Sequence, residues 1–294
     1  MNILVIGKGF IGSALIKKLR EKGHKVSTYD VVDGQDILDK EKLNKAVKNK
    51  DLVYHLAAVA DLNWARVHPI ETMRINVEGC WNVAEACVKH EAKLFYASTC
   101  CVYGNQERHP VTEETMPNPA EIYACSKLAG EFVILGFHRM YGLDYNFMRF
   151  ATIYGEGMRS ALGIHIFFGQ ALRGEDITIH GDGKQTRTLT YIDDLVDGII
   201  KLQDSQIVND KWNLTAEPEI SALDMAKEVI KITGRGKIVH VDQRPGQTFR
   251  ESVSAMKMKA EVGWVAKVPF PHGMRKTYSW FVETNQINNL YKQP

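Results

Sequence analysis

The chain has no apolar run approaching the ~18 residues of a membrane span, no internal repeat and no low-complexity tract. A helical membrane anchor and a repeat array are excluded on those grounds. Charge of one sign is also missing: 37 Lys and Arg against 35 Asp and Glu leave a net charge of +2. A broad nucleic-acid surface is therefore not expected, and any functional positive charge has to be local. Cysteine is sparse, and Cys80, Cys87, Cys100, Cys101 and Cys125 show neither Cys-x-x-Cys spacing nor a cluster with histidine. That excludes a disulfide framework and a zinc site, so no metal is expected. Met1 leads straight into an apolar strand pattern, leaving no room for a signal peptide. A cytoplasmic location follows as an expectation.

What is present suits one large core with an attached lobe. The 294 residues are 45% hydrophobic, and a chain of this length buries roughly three-quarters of its unfolded surface. Strand patterns near 2-6, 25-29, 52-56, 94-98 and 145-150 alternate with helical patterns near 12-21, 40-48, 70-90 and 119-140. This predicts an α/β protein: a doubly wound parallel sheet of Rossmann type with a smaller C-terminal substrate lobe. Beyond Thr152 the alternation loosens and glycines punctuate a loop-rich region. The dense charge run over 40-50 reads as a solvated helix face.

The N-terminus carries chemistry. Strand Asn2-Ile3-Leu4-Val5-Ile6 runs into Gly7-Lys8-Gly9-Phe10-Ile11-Gly12, and an amphipathic helix follows. Gly7 permits the tight turn, Gly9 lets the backbone approach a pyrophosphate, and Gly12 allows helix to pack on strand. The helix N-terminus then faces the phosphates. A second strand ends in Asp30, whose carboxylate accepts from a ribose and repels a 2′-phosphate. NAD is expected in preference to NADP.

A second motif lies at Tyr123-Ala124-Cys125-Ser126-Lys127. On a helix the i, i+4 spacing puts phenol and ammonium on one face, and a cation near the phenol favours its ionised form. The pair reads as an acid-base catalyst. Lys93-Leu94-Phe95-Tyr96-Ala97 is a further buried-type strand, and it delivers Ser98-Thr99 at its C-terminal end, where ligands collect in parallel sheets. The Thr99 hydroxyl is a candidate partner for a substrate oxygen beside Tyr123.

Taken with His55-Leu56-Ala57-Ala58, Asn76-Val77-Glu78-Gly79, Ser98-Thr99-Cys100-Cys101-Val102-Tyr103-Gly104, residues 181-187, Tyr191-Ile192-Asp193-Asp194, Arg244-Pro245-Gly246 and Gly263-Trp264, these motifs have a known order. The chain resembles, nearly end to end, the extended short-chain dehydrogenase/reductases that act on nucleotide sugars. The resemblance implies catalysis by Thr99, Tyr123 and Lys127. It places NAD against Gly7, Gly9, Phe10, Ile11, Gly12, Asp30, Asp36, Ile37, Leu56, Ala57, Ala58, Asn76, Tyr123 and Lys127. It assigns substrate, a nucleotide-diphosphate sugar, to Thr99, Tyr123, Thr152, Arg187 and Arg244, the two arginines on the diphosphate.

It also implies residues 1-153 as the NAD domain, with 188-203 returning to it and 154-187 and 204-294 forming the sugar-binding lobe. Helices near 77-90 and 119-140 would pair across a two-fold axis as the four-helix bundle of a homodimer, with Trp81, Val83, Val133, Leu135 and Phe137 as contacts.

Departures from the family's pattern bear on the reaction. Sugar 4,6-dehydratases carry Asp-Glu directly after the catalytic threonine, because eliminating water needs an extra acid and base. Uronate decarboxylases keep the glutamate. Cys100 and Cys101 occupy those places here, and a protonated thiol replaces neither group. What remains is hydride transfer with one acid-base group, as in a 4-epimerase: NAD oxidises the C4 hydroxyl, the ketone turns over, and the same hydride returns. Thr152 stands where many relatives have an asparagine, Ala60 where UDP-galactose epimerases have a lysine, and the sugar stays open. Only Val31 to Gln35 separate Asp30 from Asp36, a short loop closer to that of 4-keto-sugar reductases. A reductase, and from another class a catalytically silent NAD sensor or scaffold, are the alternatives.

Overall fold

The structure, a computed structural model, describes residues 1–243 and 249–289. The first half alternates: β1 (Asn2–Ile6), α1 (Phe10–Glu21), β2 (Lys25–Tyr29), α2 (Lys40–Val47), β3 (Leu52–His55), α3 (Leu62–Val67), α4 (Pro69–Met73), α5 (Gly79–Lys89), β4 (Lys93–Thr99), α6 (Ile122–Tyr141) and β5 (Tyr145–Phe150). There follow β6 (Thr152–Tyr154), α7 (Gly163–Arg173), β7 (Ile177–His180), β8 (Thr186–Tyr191), α8 (Ile192–Asp204), β9 (Asp210–Leu214), β10 (Glu219–Ser221), α9 (Ala222–Thr233), β11 (Ile238–Val241) and α10 (Phe270–Glu283).

Six strands form a parallel sheet in the order β2-β1-β3-β4-β5-β9. Because successive side chains of a strand point to opposite faces, each face has its own core. Ile3 and Val5 join Leu15 and Leu19 of α1 and Leu195 and Ile199 of α8. Leu4 and Ile6 join Leu43 of α2, Val83 of α5 and Ile134 of α6. All of these side chains are fully buried, each contributing about 1.5–3 kcal/mol through removal from water. The expected doubly wound α/β architecture is present.

The lobe carries two small sheets, β10-β8-β6 and β11-β7. Two boundaries differ from expectation. Strand β8 pairs with β6 and β10, so residues 188-191 belong to the lobe's sheet, not the nucleotide sheet. Conversely β9 pairs with β5, carrying the return to the main sheet through Leu214. Trp212 and Leu214, both wholly buried, anchor it there; a short strand interrupted by Asn213 leaves little periodicity to read.

Helix α6 also begins later than its proline suggests. Asn118 N–H donates to Val102 O at 2.9 Å, and the chain stays extended to Glu121, at φ −133° and ψ 152°. The helix ends on Gly142, whose left-handed conformation a side chain resists. Of the side chains expected to meet a partner across α5 and α6, Val83 and Phe137 belong to the core and Val133 and Leu135 pack against it, while Trp81 is exposed. Ile122, Phe132, Met140 and Tyr141 of α6 are exposed with Trp81 of α5.

Candidate active site

Strand order reverses at β1: β2 lies on one side and β3 on the other. Ligands bind outside the carboxyl ends of strands at such a switch point. The loops after β1, β2, β3 and β4 deliver Gly7, Asp30, Leu56 to Ala58, and Thr99 to that edge. Gly7 has φ +101°, and a Cβ there would lie 2.7 Å from Ala57 N. A Cβ on Gly12 would lie 1.9 Å from Gly7 O, so the first turn of α1 closes on the loop only with glycine. Above Gly9 a Cβ would meet nothing within 4 Å, leaving the helix N-terminus, with Phe10 and Ile11, open to an anion. The Asp30 carboxylate accepts from the backbone N–H of Lys8 and, at 2.9 Å, of Val32. Loop and ribose-side carboxylate are thus one unit, and these residues fit a dinucleotide.

The other residues expected at the cofactor divide. Leu56 and Ala57 donate their N–H groups to Ile6 O, both at 2.8 Å, and with Ala58 form the floor. Asp36 is exposed, its carboxylate accepting from Leu38 N–H at 2.9 Å. Ile37 lies under α5, where a Cβ on Gly79 would come within 2.4 Å of its Cδ1. Asn76 sits in a π-helical turn, Arg74–Glu78. Its amide donates to Val59 O at 3.0 Å and Ser126 Oγ at 2.8 Å, and accepts from Val59 N–H at 2.8 Å. Those bonds occupy its amide in bracing the crevice wall against α6.

Asp30→Ala is expected to weaken NAD and to lower the NAD-over-NADP affinity ratio about tenfold or more, ~1.4 kcal/mol. Titrating both cofactors checks it. Equal affinity of the parent protein for the two would overturn the assignment.

At the end of β4, Thr99 caps the turn formed by Cys100–Tyr103, its Oγ1 accepting from Cys101 N–H at 3.1 Å. Tyr123 opens α6 beside it. Burial raises the Tyr123 phenol's pKa, with Cys101 acting in the same sense and Arg159 and the Thr99 side chain opposing it. Lys127 departs from the sequence expectation: its ammonium lies 4.1 Å from the centroid of the Tyr96 ring, not on the phenol. Both residues occupy α6 four apart, but the long lysine side chain finds a buried aromatic face. Burial pulls Lys127 down to about 8, opposed by Cys80 and Glu131. Facing it, His55 is held neutral, lowered to about 3 by burial and by the Lys127 charge. The Cys101 thiol is pushed up to about 11, chiefly by burial and then by Glu251, and burial raises Cys100 as well.

On the lobe side, Thr152 Oγ1 donates to Glu251 Oε1 at 3.3 Å. Arg187 donates from Nη1 to Thr186 O at 2.7 Å and sets its Nε 4.0 Å from Glu251 Oε2. Arg244 lies outside the described residues. Sequence reasoning did not find Glu251, since nothing in its spacing from Arg244 announces it; backbone pairing carries it in. Nor did it find the buried pair Glu131–Arg149, although Glu131 continues the Tyr123, Lys127 spacing one further turn along α6. Among the described residues no group of three or more His, Cys, Asp or Glu is placed to hold a metal ion, all five cysteines are unbridged, and no helix is long and apolar enough to cross a membrane.

A dinucleotide crevice of Rossmann architecture with a Thr, Tyr, Lys constellation at its edge defines the class, an NAD-linked enzyme. Residues 3–214 match the model of the NAD dependent epimerase/dehydratase family, and the chain belongs to that family. UDP-N-acetyl-alpha-D-glucosaminuronate decarboxylase of Bacillus cytotoxicus is 30% identical over 94% of this chain and 96% of its own. UDP-glucuronic acid decarboxylase 1 of Xenopus tropicalis is 29% identical, covering 97% and 73%. The UDP-glucose 4-epimerase of Thermotoga maritima, solved with UDP-glucose, superposes with a TM-score of 0.93 at 29% identity over 97% and 100% of the two chains. The UDP-glucuronic acid 4-epimerase of Bacillus cereus, solved with UDP-glucuronic acid and NAD, gives a TM-score of 0.91 at 26% identity over 97% and 100% of the two chains. The cofactor is NAD.

Proposed function

We propose that the protein is a nucleotide-sugar 4-epimerase, inverting C4 through a transient 4-keto sugar. The observation that carries this reading is Cys100-Cys101 directly after Thr99, two thiols kept protonated by burial where elimination would need an acid and a base. Relatives include decarboxylases and epimerases, so likeness alone does not choose between them. NAD, when bound, supplies the hydride acceptor and donor at C4. Tyr123 takes the hydroxyl proton and returns it, Thr99 orients the hydroxyl, and Lys127 keeps a positive charge inside the site. Arg187 and Arg244 hold the diphosphate, Thr152 the sugar side. A 4-keto-sugar reductase, the second reading, would draw on NADPH, and the Asp30 carboxylate sets an anion against a 2′-phosphate.

The exposed Trp81, Phe132, Met140 and Tyr141 suit a homodimer through α5 and α6. Five unbridged thiols suit a cytoplasmic location. Incubating UDP-, GDP-, dTDP- and CDP-hexoses deuterated at C4, with UDP-glucuronate alongside, and following each by NMR tests the reaction. The expected product is the C4 epimer with deuterium retained at C4 and no solvent hydrogen gained at C5. Release of carbon dioxide from a uronate, a 6-deoxy-4-keto product, or stoichiometric NADPH consumption would overturn it.

A further inference from the structure

One buried carboxyl in the site has no task in the mechanism above. Glu251 lies on a segment stitched into place on both sides. Thr186 N–H donates to Phe249 O at 3.0 Å and Glu251 N–H to Thr186 O at 3.1 Å. Across the segment, Val111 N–H donates to Ser252 O at 2.9 Å and Ser254 N–H to Val111 O at 2.8 Å. The side chain, 12% exposed, has little freedom: one oxygen meets Thr152 Oγ1 and the other faces Arg187. With Cys100 and Cys101, the residues that follow Thr99, it lines a crevice of about 20 Å³, too small for a sugar substituent, so it would meet a substrate through the wall it forms with Thr152 and Arg187.

We infer that Glu251 is a specificity-determining residue, selecting sugars that are neutral at C6 against uronates. The inference rests on the nucleotide-sugar reading. A sugar whose C4 hydroxyl meets Thr99 and Tyr123 carries its C6 group on C5, the next ring atom, and so presents that group to the walls around the Thr99 to Cys101 turn. A hydroxymethyl group meets there a carboxylate that accepts its hydrogen bond. A uronate brings a second carboxylate against that wall, where it must either meet the charge of Glu251 or share a proton with it, and both cost affinity. Arg187 does not relieve this cost, because it already faces Glu251 and, in this reading, takes the diphosphate as well. Arg250, beside it, is exposed and already engaged by Glu219 through three hydrogen bonds, and Arg159 reaches the same region but is exposed, so solvent and salt screen its attraction.

The test is calorimetric binding of UDP-glucose and UDP-glucuronate to the NAD-loaded protein at pH 8, for the parent, Glu251→Gln and Glu251→Ala. The parent is expected to bind the uronate about tenfold or more weakly than the neutral sugar. Glu251→Gln, which preserves volume and an acceptor for Thr152, is expected to bring the two affinities within about threefold, and Glu251→Ala to do the same should the glutamine variant fold poorly. A parent that binds the uronate as well as the neutral sugar overturns the inference, as does a ratio unchanged by either variant. Binding of neither sugar overturns it together with the substrate class. Discrimination that depends on Glu251 without any C4 inversion would sustain this inference while sinking the epimerase reading.

Discussion

Tyr123→Phe is expected to lower turnover roughly 10²–10⁴-fold while the protein stays folded and keeps its NAD. The substitution removes one oxygen and almost no volume, so packing of α6 on the sheet is left alone. What it removes is the phenol hydroxyl at the start of α6, beside Thr99. Burial disfavours the Tyr123 phenolate, and the groups that oppose this are Arg159 and the Thr99 side chain. Burial therefore favours the protonated phenol, and the proposed mechanism requires positive charge in the site to favour its ionised form. Lys127 adds to that charge from its place over Tyr96, with its own pKa drawn down to about 8 by burial. On the proposed mechanism, removing the acid-base group should appear in turnover and not in substrate affinity, since Thr99 would still hold the hydroxyl. Parent-like turnover in Tyr123→Phe would show the catalytic assignment to be wrong.

The nucleotide half of this site was legible in the sequence because its constraints are local. A glycine whose absent Cβ would collide with Gly7 O is a property of a six-residue loop, and Asp30 follows at the end of the next strand. The alternation of strands and helices, and with it a parallel sheet, could be read because both faces of the sheet are apolar; the order of the strands could not. The sugar half was less legible, because its contacts join distant segments. Glu251 meets Thr152 through the backbone hydrogen bonds its segment makes with Thr186, and Arg187 is brought to Glu251 by the same bonds. Residues 188-191 followed the lobe, not the nucleotide sheet, because β8 found partners in β6 and β10. Side-chain direction was the remaining gap: i, i+4 spacing brought Tyr123 and Lys127 to neighbouring turns, yet the ammonium settled on Tyr96.

Glu131→Met is expected to destabilise the protein by about 3–5 kcal/mol. Glu131 and Arg149 form a two-pronged pair, Nε to Oε1 at 2.9 Å and Nη2 to Oε2 at 2.6 Å, with both side chains 4% exposed. Ser98 Oγ donates to Glu131 Oε1 at 2.5 Å. Arg149 Nη1 donates to Tyr103 Oη at 3.0 Å, and that hydroxyl donates to Asn213 Oδ1 at 2.7 Å. This chain of bonds ties α6 to β4, β5 and β9 directly behind Thr99. Without Glu131 a guanidinium remains in a site from which water is excluded, and its desolvation is no longer offset. The pair itself adds less than that loss suggests, since burying two ions costs much of what their attraction returns. Glu131→Met/Arg149→Met is therefore expected to recover at least about 2 kcal/mol over the single variant, despite the bonds lost at Ser98 and Tyr103. Urea unfolding at a fixed NAD concentration measures both, bound cofactor being a stabilising ligand in its own right. A single variant within about 1 kcal/mol of the parent would mean that Arg149 finds another partner or reaches solvent, and that Thr99 is positioned by β4 alone.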